Sequence, residues 1–471
     1  MKKVLLVLLI FSVFLTGCNI LLSGQALIAP PSSGDGVVPT GATVEEEHPS
    51  VEIPDPSNDC GPLCKEGDVE NNINSGDLPG DGETPDINNG IDKPTEEDSG
   101  DTTNTDGTEN DSNRIKSFNT VIPADLKVDL KYTRYQVEND YLIVISQGAN
   151  IRQEPDSSSP VIKSAQQLER FKLIAEEKGE MLAKYGSDRW YKISLEVNSK
   201  TVYGYIFSAL AEPRQFQFEK MLEAVSKLRD EIGSNTSGYV VNYKDRNGQA
   251  PAYKGKSEDA YGIERYQSAP AYLQASTTSD FRYMSDGTLV SILAETDSFY
   301  RVRTLTFEGE YYIPKKYISF GQAPKELTKA VVVDRKNQNE GVFEFSEGEW
   351  KLISYIYATT GETAKYKQPT ELGYFMAIQK MSKFRYLDDV TKKIAGYAPH
   401  AIRFNGGAYI HGVPVDYKVQ DNTLIDPGMQ EFLYSIGTIP RSHKCVRNYT
   451  SHALFLYNWV EIGKSAVIVI E

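Results

Sequence analysis

Apolar and polar positions are distributed very unevenly along the 471-residue chain. An apolar run occupies residues 4–15, whereas residues 19–117 contain no Phe, Trp or Tyr and are dominated by Gly, Pro, Asn, Asp, Glu, Ser and Thr. Such a stretch buries too little apolar surface to offset the entropy lost on ordering. We therefore predict a disordered linker over residues 19–117.

Beyond residue 130, short runs of β-branched and aromatic residues alternate with turn residues. The predicted strands are 141–145, 148–155, 171–174, 190–193 and 204–206. Short strands at this spacing are typical of a small barrel. The order of three segments resembles bacterial SH3-type domains: Asn-Ile-Arg with a following Pro, then Trp-Tyr-Lys-Ile, then Gly-Tyr-Ile. The resemblance implies an SH3-like domain over residues 130–213.

A similar pattern recurs more loosely over residues 239–320. Apolar runs occur at 288–293 and 311–313, and Phe-Tyr-Arg-Val at 299–302 parallels the earlier Trp-Tyr-Lys-Ile. We predict a divergent second SH3-like domain. Its aromatic residues either form the barrel core or lie exposed, where they stack on sugar rings of wall polymer; the sequence favours neither.

One helix is predicted between the two barrels, over residues 214–233. Its apolar residues recur at helical spacing of three and four, and Gly233 offers a stop: Phe218, Met221, Leu222, Val225, Leu228 and Ile232. Such a stripe favours packing between domains over a binding face.

The region from 328 to 471 is predicted to be a mainly β domain. Residues 329–334 and 465–470 are predicted as buried strands because residues 330–333 and 466–470 are all apolar, and 351–357 is predicted as a strand between them. Helices are expected only at about 428–435 and at 452–460, the latter behind a Thr-Ser cap.

Composition and charge limit the classes of function that the chain can have. Hydrophobic residues make up 40% and charged residues 24% of the chain, as in ordinary globular proteins. The net charge of −15 is concentrated in the linker, where residues 31–110 hold 21 acidic residues against Lys65 and Lys93. The folded remainder is close to neutral, so we expect no nucleic-acid partner, because such a partner requires a concentrated basic face.

The N-terminal segment predicts the compartment. Lys2 and Lys3 precede the apolar run, which at about 18 Å of helix is too short to span a bilayer. The Leu-Thr-Gly-Cys sequence at 15–18 resembles the lipobox of bacterial lipoproteins, which implies that residues 1–18 form a signal peptide and that Cys18 is lipidated. The protein would then be held to a membrane by a lipid anchor on the extracytoplasmic side, in the cell wall or periplasm. An ordinary signal peptide with an incidental cysteine is the alternative.

Four cysteines are too few for a disulfide framework in a chain of this length. Cys60 and Cys64 lie within the linker, and whether they pair is left open. They make a poor metal site without a second pair of ligands.

The candidate chemistry lies in Ser-His-Lys-Cys-Val-Arg at 442–447. A cysteine is a useful nucleophile only as a thiolate, so Cys445 needs a base or a cation nearby. His443, Arg447 and the upstream His411 are candidates for these roles. The backbone N–H groups of Lys444 and Cys445 are candidate donors for an oxyanion hole.

These segments resemble the L,D-transpeptidase catalytic domain, a β-sandwich. Members show His-Gly, then Ser/Thr-His-Gly-Cys-Ile/Val-Arg, preceded by Thr-Gly and Thr-Pro-Leu-Gly-x-Phe. This chain has His411-Gly412, the 442–447 segment, Thr-Gly at 360–361 and Pro-Thr-Glu-Leu-Gly-Tyr-Phe at 369–375. The resemblance covers about residues 328–471.

The resemblance implies roles for the site residues. Cys445 would be the nucleophile and His411 the general base, with Ser442 and His443 as orienting groups. Arg447 would be a cation near the thiolate or near a substrate carboxylate, although a structural ion pair is equally open. Which histidine is the base is also left open.

Three features depart from the family pattern. Lys444 replaces a glycine, which costs roughly 1 kcal/mol if that position requires a positive φ. Glu371 replaces a proline. The 34 residues from His411 to Cys445 exceed the usual spacing, so we predict an inserted loop and helix at about 416–438 beside the cleft.

By resemblance, the expected activity is peptidoglycan cross-linking, with stem peptides as partners and without a cofactor or metal. Cys445 would attack the third stem residue, and an amine of a neighbouring stem would resolve the thioester to give a 3→3 cross-link. Water as acceptor would give an L,D-carboxypeptidase, and a protein amine would give attachment of a protein to the wall. A non-catalytic wall-binding lipoprotein is the rival of a different class. The sequence does not indicate the oligomeric state.

Overall fold

A computed structural model describes residues 111–365, 367–388, 390–420 and 423–471. The predicted signal peptide, residues 19–110 of the predicted linker, and Cys18, Cys60 and Cys64 lie outside these ranges. Within them the fold is mainly β, and the predicted fold class is confirmed. None of the helices in these ranges is long and apolar enough to cross a membrane.

The first barrel is built from antiparallel strands. The N-terminal strands are β1 (Arg114–Ser117), β2 (Lys127–Val128), β3 (Asp140–Val144), β4 (Gly148–Arg152), β5 (Val161–Gln166), β6 (Arg170–Leu182), β7 (Ser187–Val197), β8 (Lys200–Phe207) and β9 (Ala211–Gln215). Their order in the sheet is β5-β4-β8-β7-β6-β3-β9, with β1 added against β6. Trp190 is 2% exposed and donates its indole N–H to the Glu180 carbonyl, so it is a core residue and not a sugar-binding platform.

The folded region begins earlier than the sequence predicts. β1 lies inside the predicted linker, although all four of its residues are exposed. Its place depends on backbone pairing with β6, which requires no apolar side chains and therefore leaves no trace in the hydrophobic pattern.

The linking helix α1 (Phe218–Ser234) leads to a second barrel. Its strands are β10 (Thr236–Val240), β11 (Ser268–Tyr272), β12 (Phe281–Ser285), β13 (Leu289–Glu295), β14 (Phe299–Arg303), β15 (Glu310–Pro314) and β16 (Ile318–Ser319). The sheet order is β12-β11-β15-β14-β13-β10-β16. Taken in chain order, these seven strands are connected as β3–β9 are, so the second barrel has the topology of the first.

The C-terminal domain is a sandwich of two sheets. Its elements are β17 (Lys329–Asp334), β18 (Asn339–Ser346), β19 (Glu349–Tyr357), β20 (Gly373–Met376), β21 (Gln379–Leu387), β22 (Ile394–Asn405), β23 (Ala408–His411), β24 (Val415–Asp416), β25 (Lys418–Gln420), β26 (Thr423–Ile425), β27 (Val446–Arg447), α2 (Thr450–Trp459) and β28 (Ser465–Ile470). One sheet has the order β2-β19-β18-β17-β28-β20; the other is β21-β22-β23-β27 with β24 against β22. The short 3-10 helices of the described residues are Asp111–Asn113, Ser208–Leu210, Tyr243–Asp245 and Lys315–Tyr317.

The packing of β17 explains why its four central residues, 330–333, are all apolar. Val331 and Val333 pack into the core between the two sheets, whereas Ala330 and Val332 face the core that α1 covers. A strand buried on both faces is a continuous apolar run, and α1 supplies the second face with its own apolar stripe.

Two helix predictions for this domain need correction. Residues 428–435 are not helical. The insertion at 416–438 contains the β25–β26 hairpin and a long irregular segment in place of the predicted loop and helix. α2 begins at Thr450, inside the predicted cap. The Thr450 hydroxyl does not cap the helix: it accepts a hydrogen bond from Val413 N–H and donates to the Gln430 carbonyl.

The first barrel and the sandwich share structure beyond α1. β2 pairs in parallel with β19 at the edge of the first sandwich sheet. The Tyr141 hydroxyl of the first barrel donates to the Asn337 carbonyl, and Asn339 donates to the Gln215 carbonyl at 3.1 Å. A single hydrophobic cluster runs through both parts and α1. The candidate catalytic domain therefore shares strand pairing, hydrogen bonds and a hydrophobic core with the domain that precedes it.

Candidate active site

Two of the site residues, His411 and Arg447, lie on adjacent parallel strands, and Cys445 directly precedes the second of them. β23 pairs with β27 so that Ile410 lies opposite Val446 and His411 opposite Arg447. Side chains alternate along a strand, and paired residues share a face of the sheet. Cys445, two residues before Arg447, is therefore directed to the same face as His411.

The tautomer of His411 is set by the backbone. Its Nδ1 lies 2.6 Å from the Gly412 carbonyl oxygen. A carbonyl oxygen only accepts, so Nδ1 carries the proton and Nε2 of the neutral ring is left as the proton acceptor. Gly412 is required here for space, since a Cβ atom would come within 2.9 Å of the Thr450 hydroxyl and 3.0 Å of Pro399.

A network of hydrogen bonds fixes the turn before Cys445. The Thr370 hydroxyl accepts from Gly361 N–H and donates to the Lys444 carbonyl, both at 2.8 Å. The Ser442 hydroxyl donates to the Cys445 carbonyl. The Thr-Gly and Pro-Thr segments picked out in the sequence thus support the turn that carries the thiol.

Lys444 has φ +65°, the left-handed conformation for which glycine is the usual residue. Its N–H donates to the Gln368 carbonyl at 2.8 Å. To act as an oxyanion donor, as the sequence predicts, this N–H would have to give up that hydrogen bond. The Cys445 N–H is therefore the better of the two predicted donors.

Arg447 is held near the thiol without a structural ion pair. Burial lowers the pKa of its guanidinium, and nearby Cys445, Tyr386 and Asp416 oppose that shift through their negative forms. Its Nε is buried without a hydrogen-bond partner in the described part of the chain. No ion pair of Arg447 occurs there either, so Asp416 acts on its charge without direct contact.

These groups line one cleft of about 550 Å³. His411, Ser442, His443, Cys445 and Arg447 all contribute to its wall. The insertion also contributes, through Lys418, Pro427, Gln430 and Leu433. The predicted placement of the insertion beside the cleft agrees with the structure, although its helix is absent.

Cys445 is 3% exposed, and its sulfur lies 4.0 Å from the Gly407 carbonyl oxygen. Cleft, thiol, imidazole and guanidinium together suit acyl transfer: a thiolate to attack, a ring nitrogen to move the proton and a cation to stabilise negative charge. Within the described residues, no group of three or more His, Cys, Asp or Glu side chains is arranged to hold a metal ion.

His452 lies outside the cleft, although it follows the cysteine motif closely in sequence. Its Nε2 is 2.9 Å from the Ser354 hydroxyl, and its Nδ1 is 3.3 Å from Glu340 Oε1 in a fully buried cluster. His452 is therefore a structural residue behind the site.

The second barrel contacts the site through a buried ion pair that the sequence did not reveal. Asp286, on the turn between β12 and β13, lies 2.7 Å from Nη1 of Arg403 in β22. Burial alone would lower the pKa of Arg403, but the charge of Asp286 raises it above its usual value. Arg403 donates to the Gly406 carbonyl at 3.2 Å, and Gly406 N–H donates to the Asp286 carbonyl at 3.3 Å. This pair thus holds the turn whose next residue, Gly407, faces the thiol.

Glu371, a departure from the family pattern, belongs to the same contact. Its carboxylate accepts from the Ser285 hydroxyl at 2.7 Å and from the Asn405 side chain at 3.0 Å. Gly287, with φ +87°, lets the barrel approach closely, because a Cβ atom there would lie 2.0 Å from the Phe404 carbonyl oxygen. The Asp-Gly turn at 286–287 was the available sequence signal, but it predicts only a hairpin.

A cysteine, an imidazole and a guanidinium thus share one cleft of the β-sandwich. Residues 328–469 match the family model of the L,D-transpeptidase catalytic domain, and residues 147–212 match that of the bacterial SH3 domain. The C-terminal domain therefore belongs to the L,D-transpeptidase catalytic-domain family and the first barrel to the bacterial SH3 domains. No curated protein matches the sequence.

Several solved structures are similar to parts of the chain. A fused Zn-dependent amidase/peptidase/peptidoglycan-binding domain-containing protein from Clostridium acetobutylicum is 17% identical (TM-score 0.21), over 31% of this chain and 53% of that protein, about half its length. An L,D-transpeptidase from Mycobacterium smegmatis is 19% identical (TM-score 0.25), over 39% of this chain and 82% of the other. L,D-transpeptidase 3 from Mycobacterium tuberculosis, solved with a faropenem-derived adduct, is 18% identical (TM-score 0.24), over 38% and 79%.

Proposed function

We propose that this protein is a cysteine-dependent L,D-transpeptidase that forms 3→3 cross-links between peptidoglycan stem peptides. The observation that carries the proposal is the shared cleft of Cys445, His411 and Arg447, in which the Gly412 carbonyl leaves His411 Nε2 as the proton acceptor. The family match of the domain supports the same activity.

In the first half-reaction, His411 Nε2 accepts the proton of the Cys445 thiol, and the thiolate attacks the carbonyl carbon of the third stem residue. The Cys445 N–H stabilises the oxyanion, and Arg447 stabilises the thiolate or a substrate carboxylate. The imidazolium then protonates the departing amine of the terminal D-alanine, leaving a thioester.

In the second half-reaction, an amine of a neighbouring stem attacks the thioester. Neutral His411 accepts the proton of that amine, and the thiol is released as the new amide bond forms. Ser442 and His443 orient the turn throughout. Water in place of the amine would yield a shortened stem and a carboxypeptidase.

Product analysis tests the proposed reaction. Purified protein incubated with tetrapeptide muropeptides is expected to give 3→3 linked dimers and one D-alanine per link, detected by chromatography and mass spectrometry. Tripeptides alone would indicate the carboxypeptidase, and unchanged substrate together with an unmodified Cys445 after carbapenem treatment would indicate a wall-binding protein without catalysis.

We also propose that Cys18 carries a lipid anchor and that the described domains act outside the cytoplasmic membrane. The proposal rests on the lipobox-like sequence at 15–18 and on the acidic, aromatic-free segment that follows it. Mass spectrometry of the N-terminal peptide tests the anchor, and an unmodified, uncleaved N-terminus would contradict it.

His411→Ala is expected to slow alkylation of Cys445 by about 30-fold at pH 7. A thiol with an ordinary pKa of about 8.5 is only about 3% ionised at that pH, whereas a neighbouring imidazole favours the thiolate. The measurement is the rate of iodoacetamide modification from pH 5 to 10, with the other three cysteines replaced by Ser.

The midpoint of that pH profile should move to about 8.5 in His411→Ala. His443→Ala is the matched variant on the other side of the thiol. If His411→Ala kept the pH profile of the wild type and the midpoint moved to about 8.5 in His443→Ala instead, His443 would be the base.

A further inference from the structure

A second, larger cavity of about 810 Å³ lies between the second barrel and the sandwich. Both domains line it, and it reaches the active-site turn at His443 and Lys444. His443 also lines the cleft of Cys445. The two cavities therefore meet at the residues that precede the thiol.

Arg282 of β12 lines this cavity in an unusual setting. Its guanidinium carbon lies 3.5 Å from the ring centre of Phe307 and 3.9 Å from that of Tyr261. Its Nε is buried and has no hydrogen-bond partner in the residues that the structure describes. Two aromatic rings thus hold a guanidinium in place without satisfying its donors.

Two of the other basic side chains of the cavity are already in ion pairs, and Lys444 lines the cavity at the active-site turn. Arg335 lies 2.6 Å from the Glu471 carboxylate, and Lys367 pairs with Glu362. Arg282, in contrast, forms no ion pair within the described ranges. A guanidinium presents a planar fork of donors that matches a carboxylate, so Arg282 is suited to bind the carboxylate of a ligand.

Three acidic side chains line the cavity. Glu371 is held by hydrogen bonds from Ser285 and Asn405, whereas Glu258 and Glu264 have no cationic partner in the described part of the chain. A ligand with several negative charges would be repelled by them. A peptide end that carries both an ammonium group and a carboxylate matches the combination of Arg282 with these two acids.

We propose that this cavity binds the acyl-acceptor peptide and that Arg282 holds its carboxylate. The inference rests on the proposed function, since transfer to an amine requires a second peptide beside the thioester. It assigns the second barrel a share in the substrate site: the donor stem occupies the cleft of Cys445, and the acceptor approaches from the opposite side of the 443–445 turn.

The test uses the full chain and measures the two half-reactions separately. Acylation is followed as the rate of carbapenem adduct formation on Cys445. Transfer is followed with a saturating tetrapeptide donor and varied tripeptide stem, which lacks the terminal D-alanine and acts only as acceptor. Arg282→Gln is expected to raise the half-saturating tripeptide concentration by about tenfold or more, because a charge-assisted contact is lost. The acylation rate should stay within about twofold of the wild type.

Arg301→Gln is the matched control, because Arg301 lies on β14 of the same barrel, is 3.7 Å from Glu310 and does not line the cavity. It should leave both half-reactions unchanged. Amidation of the tripeptide carboxylate should raise the half-saturating tripeptide concentration for the wild type. It should cause no further increase in Arg282→Gln. Equal acceptor dependence in wild type and Arg282→Gln would overturn the proposal.

Calorimetric binding of the tripeptide to the full-length Cys445→Ala protein separates this inference from the proposed function. Weaker binding after the additional Arg282→Gln change supports the site even if no cross-link is ever formed. Identical binding with and without Arg282 refutes the site even if the enzyme proves to be a transpeptidase.

Discussion

Cys445→Ala is expected to abolish both the carbapenem adduct and the formation of cross-linked dimers. The thiolate is the only group in the cleft proposed to bond covalently to the substrate, and the remaining groups have nothing to activate without it. Intact-mass spectrometry after carbapenem treatment and product analysis with tetrapeptides measure the two losses.

The fold should survive this change. Cys445 lies in the core between the sandwich sheets, and removing one sulfur atom is comparable to deleting a buried methylene, about 1 kcal/mol. The Ser442 hydroxyl and Thr370 hold the turn through backbone atoms that the substitution leaves in place. Thermal melting should therefore show only a small shift.

A variant with Ser at Cys18, Cys60 and Cys64 is the matched control, and it should retain the adduct. An adduct on Cys445→Ala, or undiminished turnover by that variant, would contradict the assignment of the nucleophile.

The sequence predicts best those parts of the fold in which side chains alone specify the structure. Residues 329–334 and 465–470 were predicted as buried strands and are β17 and β28, because a strand covered on both faces has a continuous apolar run at its centre. The apolar stripe of α1 was equally informative, since its spacing fixes the buried face of a helix. The chemistry of the cysteine motif is likewise local, with the thiol and Arg447 two residues apart.

The sequence does not predict those parts of the structure that depend on backbone hydrogen bonds or on partners distant in the chain. β1 is exposed at every residue and is held by pairing with β6. The Lys444 N–H looked like an oxyanion donor, but it bonds the Gln368 carbonyl, which is 76 residues earlier in the chain. Hydrogen bonds between backbone groups carry no side-chain signature, so no spacing rule would have found them.

The contact between the second barrel and the site escaped prediction for another reason. Asp286 and Arg403 lie in different domains, and each reads in the sequence as an ordinary exposed charge. In the structure both are buried, so each depends on the other to remain charged away from water.

Asp286→Ala is therefore expected to destabilise the protein by about 3–5 kcal/mol, because it leaves the Arg403 guanidinium buried without its carboxylate. It should also slow alkylation of Cys445 at pH 7, because the Asp286 carboxylate positions the Arg403 guanidinium that bonds the Gly406 carbonyl, next to the Gly407 carbonyl that faces the thiol. Thermal melting and the iodoacetamide rate measure the two effects.

The double variant Asp286→Ala/Arg403→Met distinguishes an unpaired buried charge from simple loss of contact. It removes the guanidinium that Asp286→Ala leaves buried without a carboxylate, so it should recover part of the lost stability. It should not recover the alkylation rate, because Arg403→Met removes the hydrogen bond from the guanidinium to the Gly406 carbonyl. Asp280→Ala, an exposed carboxylate on the same barrel, should change neither quantity. If Asp286→Ala melted and reacted like Asp280→Ala, the second barrel would have no part in positioning the thiol, and the sandwich would hold its active site by itself.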